Sequence, residues 1–369
     1  MGVVQAADMP AVSHRSRYAS RLKSFDAGFA WRRVNVCSRK WDDGVPVSKH
    51  PIVTATEEIE SITRRSAMRL IGATTAGLLL PLNASHSRAA SESSTMLSRA
   101  IPVSGEKLPV IGLGTWRTFD VEPSENERKP LEDVLRALVG AGARVVDSSP
   151  MYGRAEEVIG DLSAKLGIRE SLFLATKVWT RGKEAGVQSM ERSFSRLRTK
   201  TIDLMQVHNL VDVATQLATM REWKAQGRIR YIGVTHYTES ALDELVAVLS
   251  REKVDFVQIN YSIDERRADE KLLPLAQERG IAVIANRPFG GGDLFGRVRG
   301  KPLPDFAKEI DCQSWAQFFL KWIVAHPVIT CAIPATNNLA HLQDNMRAGT
   351  GRLPDQKMRS RMVDYVSKV

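Results

Sequence analysis

The chain has 369 residues, 43% of them hydrophobic, with 52 Lys and Arg against 42 Asp and Glu, a balance that suits a soluble globular protein of one large domain or two smaller ones. The basic excess is uneven: residues 1–100 carry 14 basic and 8 acidic side chains, and the rest of the chain 38 and 34. No basic stripe with interleaved aromatics follows in that later part, so the charge gives no ground for nucleic-acid binding.

Residues 1–62 hold clusters such as WRRVNVCSRKWDD and no sustained periodicity. They are expected to be a disordered extension, or to lie ahead of the true start codon. Residues 63–90 read TRRSAMRLIGATTAGLLLPLNASHSRAA. Arg64 and Arg65 precede an apolar stretch from Leu70 to Leu82, too short and too interrupted to span a membrane. Ser87-Arg88-Ala89 offers small residues for a signal peptidase, with Ala90 as the new terminus. The segment resembles a twin-arginine export signal, although Ala67 replaces the usual bulky residue. It implies a periplasmic or exported protein, cytoplasmic if the signal is not used.

From Arg99 onward apolar runs alternate with amphipathic stretches, the pattern of a parallel α/β protein. IPVSGEKLPV reads as a hairpin turning at Ser104-Gly105. Core strands are expected at VIGLGT, RVVDSS, LFLATKV, IDLMQVH, IRYIGVTH, FVQINYS, IAVIANRP and TCAIPA. Between them, stretches such as LEDVLRALVGAG and AEEVIGDLSAKLG repeat apolar residues every three or four positions, as core-facing helices do. Eight strands with helices between count to a (β/α)₈ TIM barrel, its bottom closed by the N-terminal hairpin, over residues 91–369. A doubly wound sheet would need GxGxxG at an early strand-to-helix turn, and GLGTW lacks the third glycine.

Four polar residues then stand out: Asp147, Tyr152, Lys177 and His208, each at or just past the C-terminal end of an apolar run. In a (β/α)₈ barrel those ends converge on one mouth. An acid, a phenol, an ammonium and an imidazole gathered there make a proton-transfer site. The three cysteines (Cys37, Cys312, Cys331) have no ligand-like spacing, and the seven histidines form no HxxxH or HxH pair, so no metal is expected.

GLGTW (112–116), the stretch from Asp147 through MYGRAEEVIG (151–160), LATKVW (174–179), QVH (206–208), VQIN (257–260) and AIPATNNLAHLQDN (332–345) together resemble the aldo-keto reductase family over residues from about 100 to 369. The resemblance implies a metal-free, NAD(P)(H)-dependent oxidoreductase that interconverts carbonyls and alcohols. A hydride arriving at a carbonyl carbon leaves charge on oxygen, so a proton donor must stand beside it. Tyr152 is the expected donor, with Lys177 lowering its pKa, Asp147 holding the ammonium, and His208 orienting the carbonyl.

For the cofactor, the resemblance implies Thr115, Trp116, Gln258, Thr336, Asp344 and Asn345, with Gln258 on the nicotinamide carboxamide. Thr235-His236 replaces the usual Ser-Asn pair. A Tyr that stacks on the nicotinamide is replaced by the stretch Asn286-Arg287-Pro288-Phe289, so Arg287 or Phe289 is expected to supply the platform. Ala335 and His341 stand where NADPH-preferring members carry Lys and Arg. NADP(H) is still expected over NAD(H), with Arg297 or Arg299 as substitute cations. Trp116 and Trp179 are expected to wall the substrate cleft, and Asn209, where many members have Trp, to make it wider or more polar. After GRLPD one helix leads to Val369, so an open pocket is expected, with the Gly-rich segment 290–305 as its lid. The expected product is a monomeric reductase of small-molecule carbonyls (aldehydes, ketones or sugar-like compounds). The alternative is a cofactor-binding regulatory or sensing subunit with slow or no turnover.

Overall fold

The computed structural model describes residues 95–369; the extension and the signal-like segment at 63–90 lie outside the described residues. Two short antiparallel strands come first, β1 (Ser98–Ala100) and β2 (Lys107–Pro109). Gly105 turns the chain between them at φ 75°, a left-handed conformation that glycine adopts at little cost. Eight parallel strands follow: β3 (Leu113–Gly114), β4 (Val145–Asp147), β5 (Phe173–Val178), β6 (Ile202–His208), β7 (Ile229–His236), β8 (Phe256–Asn260), β9 (Ala282–Asn286) and β10 (Ile329–Ala332). They pair in chain order. The ring is completed by bridges from Ile111 to Ala332 and from Gly114 to Ala335, with the Gly112 and Gly114 N–H groups donating to Ala332 and Pro334 carbonyls at 2.9 and 3.0 Å.

The crossovers are helical: α1 (Glu125–Gly140), α2 (Ala155–Leu166), α3 (Lys183–Arg196), α4 (Val213–Ala225), α5 (Leu242–Arg251), α6 (Leu272–Glu278), a short α7 (Asp293–Arg297), α8 (Trp315–Val324), α9 (Leu339–Arg347) and a final α10 (Gln356–Val366). The expected TIM barrel is therefore the observed one. Helix α1 starts six residues before the first periodic leucine, because Ser124 caps it by accepting from the Glu127 N–H and Glu residues fill its first turn. Among the described residues no helix is long and apolar enough to cross a membrane.

The strands are buried on both faces, which explains their nearly continuous apolar runs. Outward residues such as Val146, Val207, Val234 and Ile259 pack under the helices. Inward ones build a separate core of Val145, Phe173, Leu204, Tyr231, Phe256 and Ile284, joined by Ile101 and Leu108 of the hairpin. The Tyr231 hydroxyl donates to Glu106 Oε2 at 2.7 Å, tying the hairpin to the barrel bottom. Cys312 and Cys331 are buried free thiols, and burial pushes the Cys312 thiol up to about 12. They act as small apolar fillers.

Gly160 of α2 marks a very close helix contact, since a Cβ there would lie 2.0 Å from the Arg196 carbonyl oxygen at the end of α3. That oxygen belongs to backbone and cannot step aside without moving the helix. Gly160→Ala is expected to cost about 1–3 kcal/mol through overpacking, read as a lower urea midpoint with an unchanged m-value.

Candidate active site

With the hydrophobic residues filling the bottom and middle of the barrel, the polar inward residues occur at the C-terminal ends. Strand register brings them together. Gly114 pairs with Asp147, Lys177 with Gln206, His208 with Thr235, Thr235 with Gln258, and Asn260 with Asn286. Side chains alternate along a strand, so Gln206 and His208 on β6, and Gln258 and Asn260 on β8, share the inward face.

The centre is a buried ion pair. Lys177 Nζ donates to Asp147 Oδ2 and to the Ser148 carbonyl, both at 2.7 Å. Asp147 Oδ1 accepts from Gln258 Nε2 at 2.8 Å and from Gln206 Nε2 at 3.3 Å. Thr115 donates its hydroxyl to the Asp147 carbonyl at 2.9 Å, fastening β3 to β4. Burial works most strongly against the Lys177 charge, yet the Asp147 carboxylate holds the ammonium above its usual range. A buried lysine thus stays a cation because its acid partner is fixed by three donors.

Tyr152 lies on the turn after β4, with Lys177 Nζ 5.1 Å from its ring centroid. Its pKa moves opposite to the expected lowering. Burial raises the phenol; Lys177 pulls the other way but, with the Asp147 charge on the side of burial, does not reverse it. The phenol is therefore a protonated donor across the physiological range. His208 is pushed down to about 3, first by burial and then by the Lys177 and His236 charges. It is a neutral imidazole, with Trp179 packed 6.4 Å from it between ring centroids.

This depression makes a stability prediction. A histidine held neutral in the fold but free to protonate once unfolded stabilises the fold above the unfolded pKa near 6.5. That stability is lost as pH falls towards the folded value. His326, half-buried just ahead of β10 and lowered to about 4, chiefly by burial, behaves alike. Each is expected to remove about 2 kcal/mol between pH 7 and pH 5. Denaturant titrations at the two pH values check this, and His326→Gln is expected to remove about half of the difference.

The other expected positions divide. Thr235 donates to Gln258 Oε1 at 3.2 Å, so these two engage each other. His236 Nδ1 accepts from the Thr238 N–H at 3.3 Å, and its ring stacks on Tyr237 at 5.6 Å. Phe289 packs against Phe295 at 4.7 Å between ring centroids. Arg287, at φ 48°, lies against Gly291, where a Cβ would come 3.0 Å from its guanidinium. Asp344 accepts from Ser314 Oγ and Gln317 Nε2, both at 2.6 Å, holding the start of α8. Thr336 and Asn345 are buried on the β10–α9 segment. Arg297 is engaged by Asp264 and by the Val366 carbonyl. Trp116, Trp179, Met151 and Tyr237 are 40–49% exposed on loops around the mouth, an apolar rim above a polar floor.

Four further residues at the mouth, Gln206, Ser148, Asn260 and Asn286, fall outside the set expected from sequence. Three of them carry a signal in the two-residue alternation: Gln206 precedes His208 by two, Asn260 follows Gln258 by two, and Asn286 ends the neighbouring strand. Buried polar atoms without partners gather at the same place: Gln206 Oε1, His208 Nδ1, Asn209 Oδ1, both polar atoms of Asn260, Asn286 Oδ1 and Arg287 Nε. Such atoms are rare in folded proteins. A ligand rich in donors and acceptors, as a dinucleotide is, fits that inventory. Among the described residues no group of three His, Cys, Asp or Glu could hold a metal ion.

A (β/α)₈ barrel with an Asp–Lys pair beside a Tyr and a neutral His at its mouth is an oxidoreductase barrel of the reductase kind. The chain matches the Aldo/keto reductase family over residues 110–361 and belongs to that family. It is 32% identical over 261 residues to methylglyoxal reductase YeaE of Escherichia coli (strain K12), covering 68% of this chain and 89% of that protein. It is 25% identical over 298 residues to the NADP-dependent D-sorbitol-6-phosphate dehydrogenase of Malus domestica, covering 69% and 90%. Among solved structures, the aldo/keto reductase of Klebsiella pneumoniae in complex with NADP and acetate matches with a TM-score of 0.61 at 25% identity, over 74% of this chain and 95% of that one. The chain is an NAD(P)H-dependent oxidoreductase that interconverts carbonyls and alcohols.

Proposed function

We propose that this chain reduces small polar carbonyl compounds with NADPH, and that Tyr152 delivers the proton. The observation that carries this reading is the buried Lys177 ammonium, bonded to Asp147 at 2.7 Å and 5.1 Å from the Tyr152 ring centroid. A reduced nicotinamide supplies the hydride. Tyr152, protonated and half-buried, offers its O–H to the carbonyl oxygen as that oxygen gains charge. Lys177 stabilises the phenolate that proton transfer leaves behind, and Asp147 keeps Lys177 in place. Neutral His208 orients the carbonyl by a hydrogen bond without competing as an acid. The indoles of Trp116 and Trp179 bound the substrate on the apolar side, while Asn209, at φ 50° with Oδ1 unpartnered, gives a polar wall.

Methylglyoxal, the substrate class in the name of the Escherichia coli relative, is small and carries a second oxygen, which suits that polar wall. We take NADPH as the preferred cofactor. Ala335, after β10, and His341, in the first turn of α9, are both exposed and leave the 2′-phosphate without a fixed cation, so the preference is modest. The check is kcat/KM for methylglyoxal with each reduced cofactor: a several-fold advantage for NADPH is expected, and a clear NADH preference refutes it. A regulatory role gains support from Gln258 and Thr235 being engaged with each other and from the missing phosphate clamp, and it requires that no carbonyl turns over.

We also propose export by the twin-arginine route, with Arg64-Arg65 as the signal and Ala90 as the mature terminus. Replacing both arginines by lysine should trap the protein inside the cytoplasmic membrane. An unchanged distribution between fractions sinks that proposal.

A further inference from the structure

A side chain at the start of α4 ties two turns of the mouth together. Asp212 stands at the N-cap of that helix in a left-handed conformation, φ 54°, where an acid ordinarily accepts N–H groups of its own helix. It accepts none of them. Its Oδ2 instead accepts the Gly182 N–H at 2.7 Å, on the turn between β5 and α3. Gln216, one turn further along α4 and fully buried, donates Nε2 to the Thr180 and Gly182 carbonyls, each at 3.2 Å. Gly186 leaves the room for that amide, since a Cβ there would lie 2.0 Å from Gln216 Oε1.

The turn held in this way opens with Trp179, whose ring lies 6.4 Å from that of His208 between centroids. The turn that holds it opens with Asn209, directly after His208, and the Asn209 N–H donates to the Thr235 carbonyl at 2.8 Å. Asn209, Leu210 and Asp212 all take positive φ, between 50° and 56°. That conformation is unfavourable for residues other than glycine and persists where the surroundings enforce it, commonly beside functional sites. Surface loops ordinarily move, yet here both walls of the substrate cleft hang from one framework.

We propose that Asp212 and Gln216 are positioning residues that fix the gap between Trp179 and Asn209 and so restrict the cleft to small carbonyls. They act through the 179–182 turn and not on the reacting atoms. The proposal rests on the reductase reading above and adds to it the device that sets substrate size.

The test compares the full chain with Asp212→Ala, Asp212→Asn and Gln216→Leu, using NADPH with methylglyoxal and with benzaldehyde. Asp212→Ala should raise KM for methylglyoxal about tenfold, the worth of one charge-assisted hydrogen bond, and leave kcat within about twofold. KM for benzaldehyde should stay level or fall, because a loosened wall admits the larger ring. Gln216→Leu keeps the buried volume and should shift the two substrates in the same directions. Asp212→Asn retains an oxygen for the Gly182 N–H and should restore the parental ratio. Acrylamide quenching, corrected with Trp179→Phe in each background, reads the turn itself. The Trp179 share should become about twofold more quenchable in Asp212→Ala, since the indole is 47% exposed while the strap holds.

Equal changes for both aldehydes in Asp212→Ala overturn the proposal. So does a lower melting temperature with the parental substrate ratio, which marks a merely structural contact. A parent that turns over neither aldehyde overturns the reduction reading. The strap itself then stands or falls on the quenching, and it falls if Trp179 is equally quenchable with and without the Asp212 carboxylate.

Discussion

Tyr152→Phe lowers kcat for carbonyl reduction by about 10²–10⁴-fold, the range for a positioned general acid, while the affinity for NADPH stays near that of the parent. The phenyl ring keeps the shape and the contact with Lys177, so the loss reports the hydroxyl alone. The direction of the phenol's pKa adds a second readout. Because burial raises it, the acid form persists past neutrality. Reduction should therefore be flat from pH 7 to 9 and fall only above the ordinary phenol range. Oxidation of the alcohol needs the phenolate and should climb over that same interval. A reduction rate that already declines between pH 7 and 8 would mean that Lys177 dominates the environment after all.

Asp147→Ala has the largest expected effect on the fold. It removes the acceptor of three side-chain donors, Lys177, Gln206 and Gln258, and leaves an ammonium that is 1% exposed with only the Ser148 carbonyl. Removing one partner of a buried ion pair typically costs about 3–5 kcal/mol, because the other charge is stranded. Adding Lys177→Met should recover most of that stability, since no charge is then buried, yet activity should stay as low as in either single variant. Denaturant unfolding of the two singles and the double checks this. Additive stability losses would show that the two groups are not coupled.

The barrel is legible in the sequence because its strands are apolar on both faces and its helices are not. LFLATKV and IDLMQVH can only be buried, and AEEVIGDLSAKLG has one apolar stripe. The four polar residues gathered at the mouth are legible for the same reason, as polar interruptions at the ends of such runs. Helix starts are less so. The first turn of α1 is polar and held by the Ser124 cap, which leaves no periodic mark. The Tyr152 pKa cannot be read from sequence either, because its direction depends on how much burial opposes the Lys177 charge, a balance set by packing. The employment of Asp344 at α8 and of Arg297 at Asp264 depends on partners 30 and 33 residues away, which a motif does not reveal.

Proton delivery by Tyr152 is tested most directly by NADPH oxidation in the full chain with methylglyoxal, set beside Tyr152→Phe at saturating cofactor. The expected result is turnover in the parent, collapse in the variant and equal NADPH dissociation constants for both. Tight NADPH binding with no turnover of methylglyoxal or other small carbonyls in the parent would contradict it, and would leave a cofactor-binding protein whose barrel serves another purpose.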